Sequence, residues 1–279
     1  MSLAWWNGRI VPAEEVRIPA DDPGFLFGDG LFETLRVDDG RERDLSAHLD
    51  RLYAGLERLG IEPLESRCDL GRAVHEVAQA APRPVARLRI TVTGGTCLIT
   101  ASPYEPPGED SYRKGVSVAL LTDFRVCSQN PLARLKSLSY QLHRQALREA
   151  ERRGAWEALL INERERLVEG SRSNIALVLK DGIFTPPESD GCLPGTVRRR
   201  LLQSRAIRER RLSLKHLFEM SGLLLMNSLI GVLPVSRLGG RAVPVGPEAE
   251  RLRETLGWGQ PPPSTAAPPE SAAPRPPRA

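Results

Sequence analysis

The sequence predicts an α+β protein built from two domains, and three observations carry that expectation. Strand-like segments come in runs, with helical segments between the runs rather than alternating one for one, which argues against a doubly wound parallel sheet. A loop-like stretch, Asp123–Pro131, divides the chain near its middle. Beyond it the pattern restarts with a long helix and a second run of strands. The expected boundaries are an N-terminal α+β domain over 1–121, an interdomain linker over 122–131, a C-terminal α+β domain over 132–258 and a tail over 259–279.

Each element has a local reason. Trp5–Val11 reads as a hairpin around Asn7-Gly8, and Leu31–Val37 ends at the turn Asp38-Asp39-Gly40. A helix begins at Ser46, since Leu49, Leu52, Leu56 and Leu59 recur at helical spacing and Gly60 closes it. A second helix is expected over Leu70–Ala80. Pro82 and Pro84 then break the chain before strands at Ala86–Thr93 and Cys97–Ser102, and Val116–Leu121 is expected to continue the same sheet. In the second half a helix is expected over Leu138–Arg153. Strands follow at Glu157–Ile161, Arg166–Glu169, Ile175–Leu179 and Ile183–Thr185, with Lys180-Asp181-Gly182 as a tight turn. Pro194-Gly195-Thr196 opens a helix running to about Arg210, and the last strands are Gly222–Met226 and Val232–Val235. The segment Pro261–Ala279 holds eight prolines and almost no large apolar side chain, so it is expected to be disordered.

Composition narrows the function classes. Thirty-nine basic residues against 35 acidic give +4, too mild a charge to demand a nucleic-acid partner. The most apolar run, Leu223–Val235, is shorter than the roughly 20 residues a membrane helix needs, and Asn227, Gly231 and Pro234 interrupt it. No secretory signal is expected from Met1–Trp6, which has neither a basic start nor a long apolar stretch. Cys68, Cys97, Cys127 and Cys192 lie far apart without a CxxC spacing. Reduced thiols in a cytoplasmic protein are therefore expected, with no structural metal and no disulfide framework.

Only four of the basic residues are lysine, so any chemistry that needs a primary amine has four candidates. Lys180 and Lys114 fall in turns, and Lys215 precedes a short apolar segment. Lys136 lies between apolar residues in Leu135-Lys136-Ser137-Leu138-Ser139-Tyr140, ahead of the long helix. A lysine held there and partly desolvated has the lowered pKa that an imine-forming amine requires. The alternative, a stem that packs while its ammonium reaches water, stays open on local sequence. Two further segments fit the first reading. Glu169 ends a strand and is followed by the small-residue loop Gly170–Asn174, and Gly195-Thr196 starts a helix whose free N–H groups favour an anion. Arg51, within the helix His48–Leu52, is a further group for a phosphate. An amine, a carboxylate and a phosphate cradle are what pyridoxal phosphate needs.

Six motifs in order carry a family resemblance over roughly residues 5–237. They are Phe27-Gly28-Asp29-Gly30-Leu31-Phe32-Glu33-Thr34, His48-Leu49-Asp50-Arg51-Leu52, Leu135-Lys136-Ser137-Leu138-Ser139-Tyr140, Glu169-Gly170-Ser171-Arg172-Ser173-Asn174-Ile175, Leu193-Pro194-Gly195-Thr196-Val197-Arg198 and Met226-Asn227-Ser228-Leu229. The chain resembles the class IV (fold type IV) pyridoxal-phosphate enzymes, which include branched-chain aminotransferases, D-amino-acid aminotransferases and 4-amino-4-deoxychorismate lyases, and it looks closest to the lyases. The resemblance implies a two-domain fold with the site between the domains, a homodimer and pyridoxal 5′-phosphate. It implies that Lys136 is joined to the cofactor as an imine and moves the proton, and that Glu169 pairs with the pyridine nitrogen. Arg51, Thr196, Val197 and Ser228 would hold the phosphate, Tyr140 would approach the phenolic oxygen, and Ser171 and Asn174 would complete the cofactor site. Phe32, Arg89, Asn227 and Leu229 are the candidate substrate contacts. His48, His75, His143 and Arg198–Arg200 read as solvated or packed helix positions rather than site residues.

Phe32 stands where D-amino-acid enzymes tend to carry tyrosine, and Asn227–Val235 resembles the lyase version of that strand and loop. The resemblance therefore implies a lyase that eliminates pyruvate from 4-amino-4-deoxychorismate to give 4-aminobenzoate for folate biosynthesis. A class IV aminotransferase acting on branched-chain or D-amino acids is the alternative. Departures touch substrate recognition. Thr91–Cys97 lacks the arginine many relatives carry after this strand, Ser139 stands where asparagine is common, and Arg172 replaces a small or hydroxyl residue. A basic nucleic-acid-binding protein is the non-enzymatic alternative; the 5% aromatic content leaves little for base stacking.

Overall fold

The computed structural model describes residues 3–258, and the tail expected over 259–279 lies outside the described residues. The first half contains β1 (Leu3–Trp6), β2 (Arg9–Pro12), α1 (Pro23–Phe27), β3 (Leu31–Asp38), β4 (Arg41–Glu42), α2 (Leu45–Leu59), α3 (Arg67–Gln79), β5 (Val85–Val92) and β6 (Cys97–Pro103). The strands form one antiparallel sheet in the order β2-β1-β6-β5-β3-β4. Alternation sorts its two faces. Leu31, Leu35 and Val37 of β3 with Ala86, Leu88, Ile90 and Val92 of β5 bury against Leu49, Leu52 and Leu56 of α2 and Leu70, Val74 and Val77 of α3. Phe32, Thr34, Arg36, Arg87, Arg89 and Thr91 alternate with these and take the other face.

The second half adds α4 (Glu109–Lys114), β7 (Val116–Val126), α5 (Gln141–Arg152), β8 (Glu157–Asn162), β9 (Leu167–Gly170), β10 (Asn174–Leu179), β11 (Gly182–Thr185), α6 (Thr196–Gln203), β12 (Arg208–Glu209), α7 (His216–Glu219), β13 (Gly222–Asn227), β14 (Gly231–Leu238), β15 (Arg241–Ala242) and α8 (Glu248–Thr255). Its sheet runs β12-β11-β10-β13-β14-β7-β8-β9, with β15 on β14. Here both faces are covered, which is why the strands read as unbroken apolar runs. Ile175, Leu177, Leu223, Leu225, Leu159 and Ile161 fill one side. On the other, Ala176, Leu224 and Met226 pack with Val197 and Leu201 of α6 and Leu252 of α8, while Ala158 and Leu160 pack with Ala146 and Ala150 of α5.

Three sequence expectations are corrected. The strand from Val116 does not continue the first sheet. It pairs in parallel with β14 and β8, and it runs on to Val126 through what was expected to be the linker. The change of sheet therefore falls between Pro103 and Val116, not at residue 121. The helix opening at Thr196 stops at Gln203, because the chain turns there to place β12 beside β11. The long helix begins at Gln141, so Lys136 sits ahead of it, beside the isolated bridge that Ser137 makes with Leu31.

Candidate active site

Residues 136–138 are clamped to the start of β3. The Phe32 N–H donates to the Lys136 carbonyl at 2.9 Å, and the Leu138 N–H donates to the Gly30 carbonyl at 2.9 Å. This approach needs glycine at position 30, since a Cβ there would lie 2.6 Å from the Val92 carbonyl oxygen and 2.8 Å from the Leu138 side chain. The Lys136 amine is thereby held over aromatic faces, 4.6 Å from the Phe32 ring centre and 5.9 Å from that of Tyr140. Burial first, and then the nearby Arg51 charge, lower its pKa to about 8, against the opposing pull of Glu33 and Glu169. The Arg89 guanidinium lies 4.0 Å from the centre of the same ring. Its pKa is lowered by burial and by the charges of Arg87 and Arg144.

Lys136 borders a cleft of about 180 Å³, lined also by Arg51, Tyr140, His143, Glu169 and Asn174, with Thr196, Asn227 and Ser228 on its wall. The loop leading into α6 is pinned by three side chains at successive peptide groups. The Leu193 N–H donates to Glu169 Oε2 at 2.9 Å, Asn174 Nδ2 donates to the Leu193 carbonyl at 2.8 Å, and Arg51 Nη1 donates to the Pro194 carbonyl at 2.9 Å. Gly195 lets the loop close this tightly, since a Cβ there would lie 1.9 Å from Asn174 Oδ1. Gly195 precedes α6 with no side chain capping the helix, so its first N–H groups are left for an anion.

Behind the cleft lies a buried ionic cluster. Arg51 makes a forked pair with Glu33, Nε to Oε1 at 2.7 Å and Nη2 to Oε2 at 2.6 Å. His48 Nδ1 lies 2.6 Å from Glu33 Oε2, and its Nε2 lies 3.4 Å from the Thr196 hydroxyl. Burial pushes the Glu33 carboxyl up, but the Arg51 charge and the hydrogen bonds from Arg51 and His48 overcome it and hold the group far below the usual carboxylate range. Burial lowers His48 despite Glu33. Neutral His48 then carries its proton on Nδ1 toward the carboxylate and accepts from Thr196, an assignment set by this hydrogen-bond pattern. A guanidinium has five N–H donors. Three of those of Arg51 are engaged, and two remain.

The sequence-predicted residues divide by placement. Arg51, Lys136, Tyr140, Glu169, Asn174, Thr196, Asn227 and Ser228 line the cleft; Ser171, Val197, Phe32, Arg89 and Leu229 do not. Ser171 turns its hydroxyl onto Glu157 instead, a fully buried carboxylate that also takes the Ser171 N–H at 3.1 Å and the Ser173 hydroxyl at 3.0 Å. The Val197 side chain packs in the core beneath α6. Phe32 faces Lys136 from a small recess beside the cleft. Leu229 packs against the core of the second sheet. Its carbonyl takes Arg36 Nη1 at 3.0 Å. Among those lining the cleft, Tyr140 donates to the Ser171 carbonyl at 2.8 Å and Ser228 to the Thr34 carbonyl at 2.6 Å. Asn227 Oδ1 accepts from the N–H groups of Leu229 and Ile230, folding the turn on itself.

Two residues set aside on sequence grounds belong to this cluster: His48, through Glu33 and Thr196, and His143, whose Nε2 lies 3.1 Å from Glu169 Oε1. Glu33 was overlooked as well, although its position signalled it. It shares a strand face with Leu31, Leu35 and Val37, so a carboxylate points into the core and needs a partner there.

The sequence pattern of the family described as amino-transferase class IV matches residues 30–238. The bifunctional aminodeoxychorismate lyase / D-amino acid transaminase of Mycobacterium tuberculosis is 30% identical over 90% of this chain and 96% of its own length. The D-alanine aminotransferase of Bacillus licheniformis is 27% identical over 86% of this chain and 90% of its own length. Among solved structures, the PLP-bound form of a hypothetical aminotransferase from Mycobacterium tuberculosis superposes with a TM-score of 0.83 at 28% identity. That match covers 93% of this chain and 99% of the other.

Proposed function

Because the chain belongs to the class IV aminotransferase family, we propose that it is a pyridoxal-phosphate enzyme that eliminates pyruvate from 4-amino-4-deoxychorismate, leaving 4-aminobenzoate for folate biosynthesis. The donor set suits that cofactor: an amine with its pKa brought down to about 8 and a carboxylate line one cleft, with an uncapped helix start and two unspent guanidinium N–H groups. When bound, the cofactor withdraws electrons from the carbon that bears the substrate amine. The rest of the chemistry falls to this chain. Glu169 would hold the ring nitrogen, Arg51 and the start of α6 would hold the phosphate, and Tyr140 would approach the phenolic oxygen. Lys136 Nζ, which gives up its own proton more readily than an ordinary lysine because its pKa is brought down to about 8, would take the proton from the amine-bearing carbon. It then delivers that proton to the departing enolpyruvyl group, which leaves as pyruvate while the ring becomes aromatic. Proton loss, C–O cleavage and proton return balance without a second substrate.

The observation that carries the lyase over the transaminase is the Asn227–Ile230 turn. Its lyase-like sequence closes on its own Asn227 carboxamide and on Thr34 of the first sheet, fixing that wall of the cleft. The Mycobacterium tuberculosis relative, named for both activities, supports the same choice. The test is pyruvate and 4-aminobenzoate release from 4-amino-4-deoxychorismate with no keto acid present. Stoichiometric formation of both products is expected. Turnover seen only with an amino-acid and keto-acid pair would transfer the assignment to the aminotransferase reading, on branched-chain or D-amino acids.

The working form we propose is a cytoplasmic homodimer. The four cysteines are free, and among the described residues no helix is long and apolar enough to cross a membrane. The short α1 exposes Phe25 at 72%, Leu26 at 51% and Phe27 at 77%. It is held rigidly, for buried Asp22 accepts from the Gly24 and Phe25 N–H groups and from the hydroxyls of Thr93 and Thr96. A rigid apolar ridge of this kind suits a second copy. Sedimentation should show a dimer that Phe25→Asp/Phe27→Asp converts to monomer. A monomeric parent, or a dimer unmoved by the double change, would refute this contact.

A further inference from the structure

We infer that His143 is a positioning residue for Glu169, setting how that carboxylate meets the cofactor's ring nitrogen; the inference rests on the reading that Glu169 takes that nitrogen. An ionised carboxylate has about four acceptor directions. On Glu169 one direction of Oε2 is taken by the Leu193 N–H at 2.9 Å and one of Oε1 by His143 Nε2 at 3.1 Å. Two donors on different oxygens fix the carboxylate plane and leave one free direction on each oxygen. With the backbone donor alone, the terminal torsion of a glutamate is soft, and the plane is free to turn.

His143 is itself held. Its ring stacks on Tyr140, with centroids 4.6 Å apart and an interplanar angle of 11°. Tyr140 is pinned in turn by its hydrogen bond to the Ser171 carbonyl and by its edge against Phe32 at 5.3 Å. Ser171 lies two residues after Glu169. The chain Ser171–Tyr140–His143–Glu169 therefore closes on itself, and every link is a direct contact. Tyr140 is the residue that caps α5 and His143 lies in the first turn, three residues on. The carboxylate beside it assigns the His143 proton to Nε2, which donates to Glu169 Oε1 and leaves the carboxylate an acceptor toward the cleft.

The test uses pyridoxal phosphate labelled with ¹⁵N in the ring, bound to the full chain, with cofactor affinity measured alongside. In His143→Phe, which keeps the stack on Tyr140 but removes the donor, the ring-nitrogen resonance should move toward the unprotonated position. Affinity should fall roughly tenfold, the worth of one hydrogen bond to a charged group. His143→Gln, whose amide N–H can reach the same oxygen, should restore both. An unchanged resonance and affinity in His143→Phe would overturn the inference. So would a loss that His143→Gln fails to restore while the unfolding temperature of the cofactor-free protein falls, since that marks a packing role only. Glu169→Ala separates the two levels: a resonance indifferent to that change would remove the assignment of Glu169 itself.

Discussion

Replacing Lys136 by alanine lowers turnover by roughly 10⁴-fold or more, because one amine serves as both the cofactor's anchor and the proton carrier. The assay is single-turnover formation of 4-aminobenzoate, and full activity in this variant would remove the mechanism. The same side chain has a measurable effect on stability, with the opposite sign. Its folded pKa of about 8 lies below the ordinary 10.5. Below about pH 8 the folded and unfolded chains both carry the charge, and the folded state bears the cost of crowding it among Phe32, Tyr140 and Arg51. As pH rises from about 8 toward 10.5 the folded chain gives up its proton first, and the cost is relieved. Lys136→Met, which removes the charge and keeps the volume, should therefore make the cofactor-free protein more stable at pH 7, and the advantage should shrink by pH 9.5. The side chain is half-buried at the cleft, so solvent absorbs part of the penalty and the gain is about 1–2 kcal/mol. Thermal melts at the two pH values check it. A variant that kills turnover while stabilising the fold is the signature of a group retained for chemistry.

Lys136 was legible because lysine is scarce in this chain and its neighbours are apolar. The helices α2 and α3 were legible because one face of each is a leucine, alanine and valine stripe. The sheet to which Val116–Val126 belongs was not legible: alternation announces a strand, but pairing is decided by which neighbours complete a buried face, and here those are β14 and β8. Ser171 and Val197 show another limit. A motif marks a segment as part of a site, yet one hydroxyl turns to buried Glu157 and one isopropyl group into the core, so the motif does not tell which atoms face the cleft. His143 was invisible because nothing in a helix sequence says that a histidine three residues past a tyrosine meets a carboxylate from β9. Long-range polar pairs are specified by the fold as a whole.

Arg51→Leu should have the largest effect on stability, because it strips the forked pair from a carboxylate whose side chain is 1% exposed. A loss of about 3–5 kcal/mol is expected for breaking a buried ion pair on one side. The pH dependence should reverse with it. In the parent, the Glu33 carboxyl is held below its ordinary range, so its stabilisation is present at neutral pH and lost only as pH falls through that depressed value. In the variant, burial is left with only His48 opposing it and raises the Glu33 pKa above the unfolded value. The deficit is then greatest at neutral pH and partly recovered below about pH 5, where the carboxyl takes up a proton. Guanidinium chloride titrations at pH 7 and pH 5 read both terms. The double variant Glu33→Gln/Arg51→Leu separates folding from function. Without the buried charge more than half of the lost stability should return, whereas cofactor affinity should stay about 100-fold weaker, since the two guanidinium N–H groups left for the phosphate are gone. A double variant that binds the cofactor as well as the parent would mean that Arg51 serves only to neutralise Glu33. The anion would then be held by the start of α6 alone.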